Sequence, residues 1–281
     1  MEQNHVASLF VSLAERISTR LRVPRVRTLH LPPKKPDGTR RAEFCALELD
    51  DGSIGLTYVC LGDTLQSMRA SFGADDIKGQ TAISVARGYG KDDPVARAIG
   101  FAAINALSQQ LFARASWLPV DAADSLGQLQ PRPGEHVGMV GLFPPLLSRI
   151  TEAKARLTVL EIDPELAGTR DGYRVTLDPE DMLGCTKVVS TCAVLLNDTL
   201  DAVLEACHGA GYLAIVGPTA GCIPDPLFAK GVSHVGGRRI IAPEGFAEAI
   251  RQGRKWGEFS CKYSIAPQDY PGLAALLAKI S

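Results

Sequence analysis

The apolar residues Val6, Leu9, Phe10, Leu13, Ile17 and Leu21 recur at steps of three and four. That spacing marks one face of a helix and predicts an opening helix that ends before Pro24. Two runs, 42–49 and 54–60, flank Asp50-Asp51-Gly52-Ser53 and read as strands of a hairpin closed by an Asp-Gly turn. Helical stretches are expected at 77–86 and 94–112, the second so rich in alanine and apolar residues that most of its faces must be buried. Within it stands Asn105, a polar side chain in an apolar helix. A buried amide needs hydrogen-bond partners. Both a neighbouring backbone and a bound ligand fit that need.

From 117 to 133 the pattern loosens around Pro119, Asp121, Asp124, Ser125, Gly127, Pro131 and Pro133, the best linker in the chain. Beyond it, short apolar runs at 136–140, 157–160, 188–190, 212–216 and 239–241 alternate with helical stretches at 145–155, 196–210 and 225–230. Runs apolar on both faces and separated by helices describe a parallel sheet with crossover helices. The expected fold class is therefore α/β, with a first domain at 1–128 and a second at 129–281.

In an open parallel sheet, ligands collect beyond the carboxyl ends of the strands, where the loops and helix starts converge. This rule nominates Gly141 and Phe143 after the first strand and Glu161 at the end of the second, where an acid commonly accepts hydrogen bonds from ribose hydroxyls. It also nominates Asn197 and Thr199 at a helix start, and Gly217 and Thr219 in a loop rich in glycine and proline. A surface carboxylate and ordinary helix capping are the plainer readings of Glu161 and of 197–199. Cys192 and Cys222 follow neighbouring strands; each alone reads as a packing residue, and together they offer two soft donors for a metal ion such as zinc or copper(I). His234, Glu161 or a bound chelating molecule would supply a third ligand. Adjacent Cys207 and His208 point about 100° apart on a helix, which makes them a poor metal pair.

Charge and composition narrow the classes. Thirty Lys and Arg against 31 Asp and Glu give a net charge of −1, which disfavours a globally basic nucleic-acid binder. The basic stretch from Arg16 to Arg41, opposed there only by Asp37, reads as a solvated face and loop. No apolar run approaches the roughly 18 residues that span a bilayer, and Met1-Glu2-Gln3-Asn4-His5 lacks the order of a signal peptide. Seven scattered cysteines favour reduced thiols. A cytoplasmic protein without nucleic acid or membrane partners is expected, and its oligomeric state stays open. Only a Gly138-to-Gly141 fragment of a dinucleotide fingerprint is present, and GxxxxGK[ST], HExxH, GxSxG and CxxC do not occur.

The order of 137–144, the acid of Leu160-Glu161, the Asn197-Asp198-Thr199-Leu200 helix start and the Gly217-Pro218-Thr219 loop resembles the DUF364 heavy-metal chelation family. The first half, through 48–56 and Ile104-Asn105-Ala106, is similar to its usual partner, DUF4213. The resemblance implies an α+β domain like the N-terminal domain of enolase, then a Rossmann-like domain, with a site in the cleft between them. The leading expectation is a protein that handles a metal ion, a metal complex or another small ligand in that cleft. The alternative is an enzyme using S-adenosylmethionine or a related nucleoside cofactor, with its carboxylate end at 138–143 and its ribose at Glu161.

Overall fold

A computed structural model describes residues 5–34, 43–73, 76–122 and 129–280. Helix α1 (His5–Ser18) forms as its periodicity requires, with Val6, Phe10, Leu13 and Ile17 buried. Strands β1 (Val26–His30), β2 (Phe44–Leu49) and β3 (Ile54–Tyr58) make an antiparallel sheet in that order. The hairpin turns at Gly52, whose φ of 88° is the left-handed backbone that an Asp-Gly turn supplies. Strand β1 corrects the reading of 16–41 as only a solvated face and loop. Val26 and Leu29 point into the core, while Arg27 and His30 bind the carboxylate of Glu48 on β2 at 2.7 and 2.8 Å. The rest of that stretch, Lys35 to Arg41, lies outside the described residues.

Helix α2 (Thr64–Ser71) had no clear pattern in the sequence, and α3 (Ala82–Ala86) is shorter than the expected 77–86 because Thr81 caps its start. Helix α4 (Pro94–Arg114) begins at an Asp93 cap followed by proline, and 15 of its residues are buried. It lies across β3 at backbone contact: a Cβ on Gly55 would fall 2.0 Å from the Ala102 carbonyl oxygen. Glycine on the strand and alanines on the helix allow that approach.

The large sheet comprises β4 (Val120–Asp121), β5 (His136–Val140), β6 (Arg156–Leu160), β7 (Gly168–Arg170), β8 (Tyr173–Thr176), β9 (Lys187–Thr191), β10 (Tyr212–Val216), β11 (His234–Ile240) and β12 (Ser260–Ile265). Its order is β4-β12-β11-β10-β9-β5-β6-β8-β7. Strands β8, β6, β5, β9, β10 and β11 run parallel, while β7, β12 and β4 pair antiparallel at the edges. The chain builds outward from β5 through β6 to β8, then returns to β9 on the other side of β5 and continues to β11. Helices α5 (Pro144–Glu152), α6 (Leu200–Ala206), α7 (Asp225–Phe228), α8 (Pro243–Arg251) and α9 (Leu273–Ala278) accompany it. Strand β4 falls inside the expected linker, and 123–128 lie outside the described residues. One continuous core joins α1, α4 and the small sheet to one face of the large sheet. No helix among the described residues is long and apolar enough to cross a membrane.

Candidate functional site

Strands β5 and β9 lie side by side, yet their following segments depart to opposite sides, and this opens a crevice beyond their carboxyl ends. A cavity of about 770 Å³ occupies it. The loops after β5, β6, β9 and β10 supply Gly141, Phe143, Glu161, Cys192 and Gly217 to its wall, and the approach to α6 supplies Asn197 and Thr199. The opposite wall comes from the small sheet and the loop after it: Phe44, Tyr58, Cys60, Leu61 and Gly62. Seven of the nominated residues therefore share one cavity.

Glu161 is fixed by the loop it faces. Its Oε1 accepts the Leu142 N–H at 2.5 Å and its Oε2 accepts the Ile162 N–H at 3.2 Å. The end of β6 is thereby tied to the turn after β5, and each carboxylate oxygen keeps further acceptor capacity. Asn197 accepts the Thr199 N–H at 3.3 Å and its hydroxyl at 2.6 Å. Neither Asn197 nor Asp198 caps α6 directly. Asp198 instead has a φ of 58° and pairs with Arg97 of α4. Gly217 takes a φ of 133°, and a Cβ there would meet the Cys192 sulfur at 2.4 Å.

The remaining nominated residues stand behind the wall. Asn105 is fully buried and donates from Nδ2 to the carbonyls of Leu56 on β3 and Thr219, at 2.7 and 2.8 Å. Thr219 Oγ1 accepts the Tyr58 N–H at 2.9 Å. These three bonds join the small sheet to the loop after β10, so Asn105 has found the backbone partners that a buried amide requires. Its Oδ1 has none among the described residues. Cys222 is fully buried and absent from the cavity wall.

Burial sets the character of the thiols. It pushes Cys192 up, opposed by hydrogen bonds from the Thr219 hydroxyl and from the Thr219 and Ala220 N–H groups. Burial pushes Cys222 up as well, with the nearby Cys192 adding to the effect. Tyr58 is raised to about 12 by burial, then by Cys60 and Cys192 and by the Glu161 charge. The protonated forms are therefore favoured at neutral pH, whereas metal ligation requires thiolates. Among the described residues no group of three or more His, Cys, Asp or Glu side chains is placed to hold a metal ion. His234 lies at the start of β11, the end of that strand away from the cavity, its ring tilted against that of Tyr212. This donor set does not fit a bare ion held by protein ligands alone.

Sequence reasoning passed over the wall made by 58–62 and the neighbouring Arg97. A signal existed in the chain's return from the hairpin toward α2, but nothing local fixed which surface that loop would meet.

The fold and cavity define a class: a mixed α/β protein with a large, mostly parallel sheet and a pocket at its carboxyl edge. The chain belongs to the DUF364 family, whose profile, described as "Putative heavy-metal chelation", matches residues 124–267. Residues 42–108 match DUF4213, which carries the same description. An uncharacterized protein of Methanocaldococcus jannaschii is 32% identical over 153 residues, covering 53% of this chain and 56% of that protein. The chain thus spans little more than half the length of that relative. Two crystal structures of DUF364 proteins of unknown function share the fold. That from Pyrococcus horikoshii is 18% identical with a TM-score of 0.67, covering 92% of this chain and 99% of its own. That from Desulfitobacterium hafniense DCB-2 is 20% identical with a TM-score of 0.67, covering 95% and 100%.

Proposed function

We propose that this chain binds a nucleoside-class small molecule, of the kind represented by S-adenosylmethionine, in the cleft between two units. One is the 1–128 unit, of the enolase N-terminal type; the other is a Rossmann-like unit at 129–281. The parallel strand order, 3-2-1-4-5-6 when the six are numbered along the chain, supports the Rossmann-like reading. The observation that carries the function is Glu161. It ends the second parallel strand, opens onto a cavity of a size suited to such ligands, and is held in place by two backbone amides. In that position a carboxylate accepts hydrogen bonds from ribose hydroxyls.

Calorimetry with 5′-methylthioadenosine tests this. Saturable binding is expected, and Glu161→Gln, which keeps the shape, removes the charge and exchanges one of the two oxygens that accept backbone N–H groups for an amide donor, should weaken it about tenfold or more. A hydrogen bond to a charged acceptor contributes about 1.5–3 kcal/mol. An analogue lacking both ribose hydroxyls should bind weakly to the parent protein and equally weakly to the variant. Absence of nucleoside binding to the parent protein overturns the reading.

The second reading is handling of a heavy-metal complex. Its support is the pair of soft donors, Cys60 and Cys192, on opposite walls of the same cavity. In that case the metal enters with an organic chelator that supplies the missing ligands, and elemental analysis of the freshly purified protein would find it together with that molecule.

A further inference from the structure

A second cavity of about 270 Å³ adjoins the first, and Tyr58, Leu61, Gly62 and Asn197 line both. It holds about nine water volumes at ~30 Å³ each, enough for a small polar head group with some of its hydration. Its other lining residues bring charges of both signs: Arg97, Asp63 and Asp198. Such a combination in a recess walled otherwise by Thr64, Pro94, Ala98 and Leu196 needs an account.

The guanidinium is anchored chiefly by its ion pair with Asp198. Arg97 sits in the first turn of α4 with its side chain only 15% exposed. Its Nη1 donates to the Leu196 carbonyl at 3.4 Å and to the Asp198 carboxylate, and its Nη2 donates to the Lys91 carbonyl at 3.4 Å. These bonds use three of the five N–H groups of the fork. Asp198 is held to the same place by an unusual backbone, its left-handed φ of 58° being a conformation that Asp and Asn adopt more readily than most residues. Asp63, at the exposed rim, accepts a hydrogen bond from Ser67 at 3.2 Å.

A lone anion in this recess would meet Arg97 but also two carboxylates, and a lone cation would meet Arg97 unfavourably. A group carrying both charges a few ångströms apart matches both sides. We infer that the second cavity is a subsite for a zwitterionic α-amino acid head group, its carboxylate at Arg97 in place of the 138–143 position that the sequence suggested and its ammonium at Asp198 and Asp63, on a ligand whose body fills the larger cavity. The inference rests on the nucleoside reading of that larger cavity and adds the substrate class: a nucleoside bearing an amino acid arm.

Two thioethers separate the two ideas. S-adenosylhomocysteine and 5′-methylthioadenosine share the adenosine and the sulfur, and only the first carries the amino acid arm. Calorimetry should show S-adenosylhomocysteine binding about tenfold or more tightly. Asp198→Asn keeps a side chain suited to positive φ and removes the charge. It should cut the affinity for S-adenosylhomocysteine about tenfold and leave that for 5′-methylthioadenosine within about twofold. Retained binding of 5′-methylthioadenosine also shows that the variant is folded, and Arg97→Met should act in the same direction. Equal binding of the two thioethers to the parent protein, or an equal loss of both in Asp198→Asn, would overturn the subsite while the nucleoside reading stood. If neither thioether binds, both readings fall.

Discussion

Asn105→Ala removes the amide that joins the small sheet to the loop after β10. The substitution strips two donated hydrogen bonds, at 2.7 and 2.8 Å, from the carbonyls of Leu56 and Thr219. A buried acceptor left unpaired costs about 1–3 kcal/mol, so the two together cost about 2–6 kcal/mol. The same truncation deletes an Oδ1 that is itself buried without a partner, which recovers about 1–3 kcal/mol. The net expectation is a loss of about 1–3 kcal/mol, read as a lowered urea midpoint with an unchanged m-value. Asn105→Asp is the sharper control, because it places an acceptor against two carbonyl oxygens and should destabilise more than alanine at neutral pH. Facing those oxygens without solvent, its carboxyl is raised in the folded state above the unfolded value of about 3.9. The folded state then binds more protons than the unfolded one between those two values, so stability falls as pH rises through that window and is regained in acid. A midpoint unchanged in Asn105→Ala, or an Asp variant no worse than alanine at pH 7, would refute the assignment of this amide as an interior tie.

The histidines predict the opposite pH dependence in the parent protein. Burial, followed by the neighbouring Arg156, lowers His136, whose Nδ1 accepts from Arg156 at 2.5 Å, and burial lowers His234. Both stay neutral in the folded protein below the unfolded value of about 6.5, so the unfolded state binds more protons and stability declines as pH falls through and below 6.5. Chemical denaturation between pH 5 and pH 8 should show that decline, and it should flatten when both histidines become glutamine. For the thiols, Cys192→Ser with Cys222→Ser should leave the metal content of the purified protein unchanged, since the described residues offer no cage of three or more ligands. Elemental analysis showing lost zinc or copper in the double variant would restore these thiols as metal ligands.

What the sequence disclosed follows from where periodicity is decisive. Strands β5, β6, β9 and β10 are buried on both faces and stand out as continuous apolar runs, and α1 repeats at helical steps. Strand β1 lies inside a basic stretch because its one arginine, Arg27, donates to the Glu48 carboxylate and to the Asp50 carbonyl across the pairing, a partnership invisible until the register is known. Edge strands β4 and β7 are two and three residues long with largely exposed side chains, so no alternation can develop. The strand-end rule reached Gly141, Phe143, Glu161, Cys192 and Gly217 because chain direction alone puts such residues at one edge of the sheet. It could not reach Tyr58, Cys60 or Arg97, which arrive only when α4 and the hairpin dock on that edge.

That docking makes the cavity conditional on the joint between the two sheets. Tyr58 shows the connection most directly: its N–H is held by Thr219 Oγ1, Thr219 is held in turn by Asn105, and the residue lines both cavities. Any loosening of the tie therefore displaces a wall of the binding site, while Glu161 and the turn after β5, fixed to each other on the far side, stay in place. Ligand bound across the cleft touches both sides and must favour the joined arrangement over the loosened one by its difference in affinity for the two. Stabilisation by a saturating nucleoside should then be smaller in Asn105→Ala than in the parent protein. In Glu161→Gln the tie is intact, and whatever stabilisation is lost should follow from affinity alone.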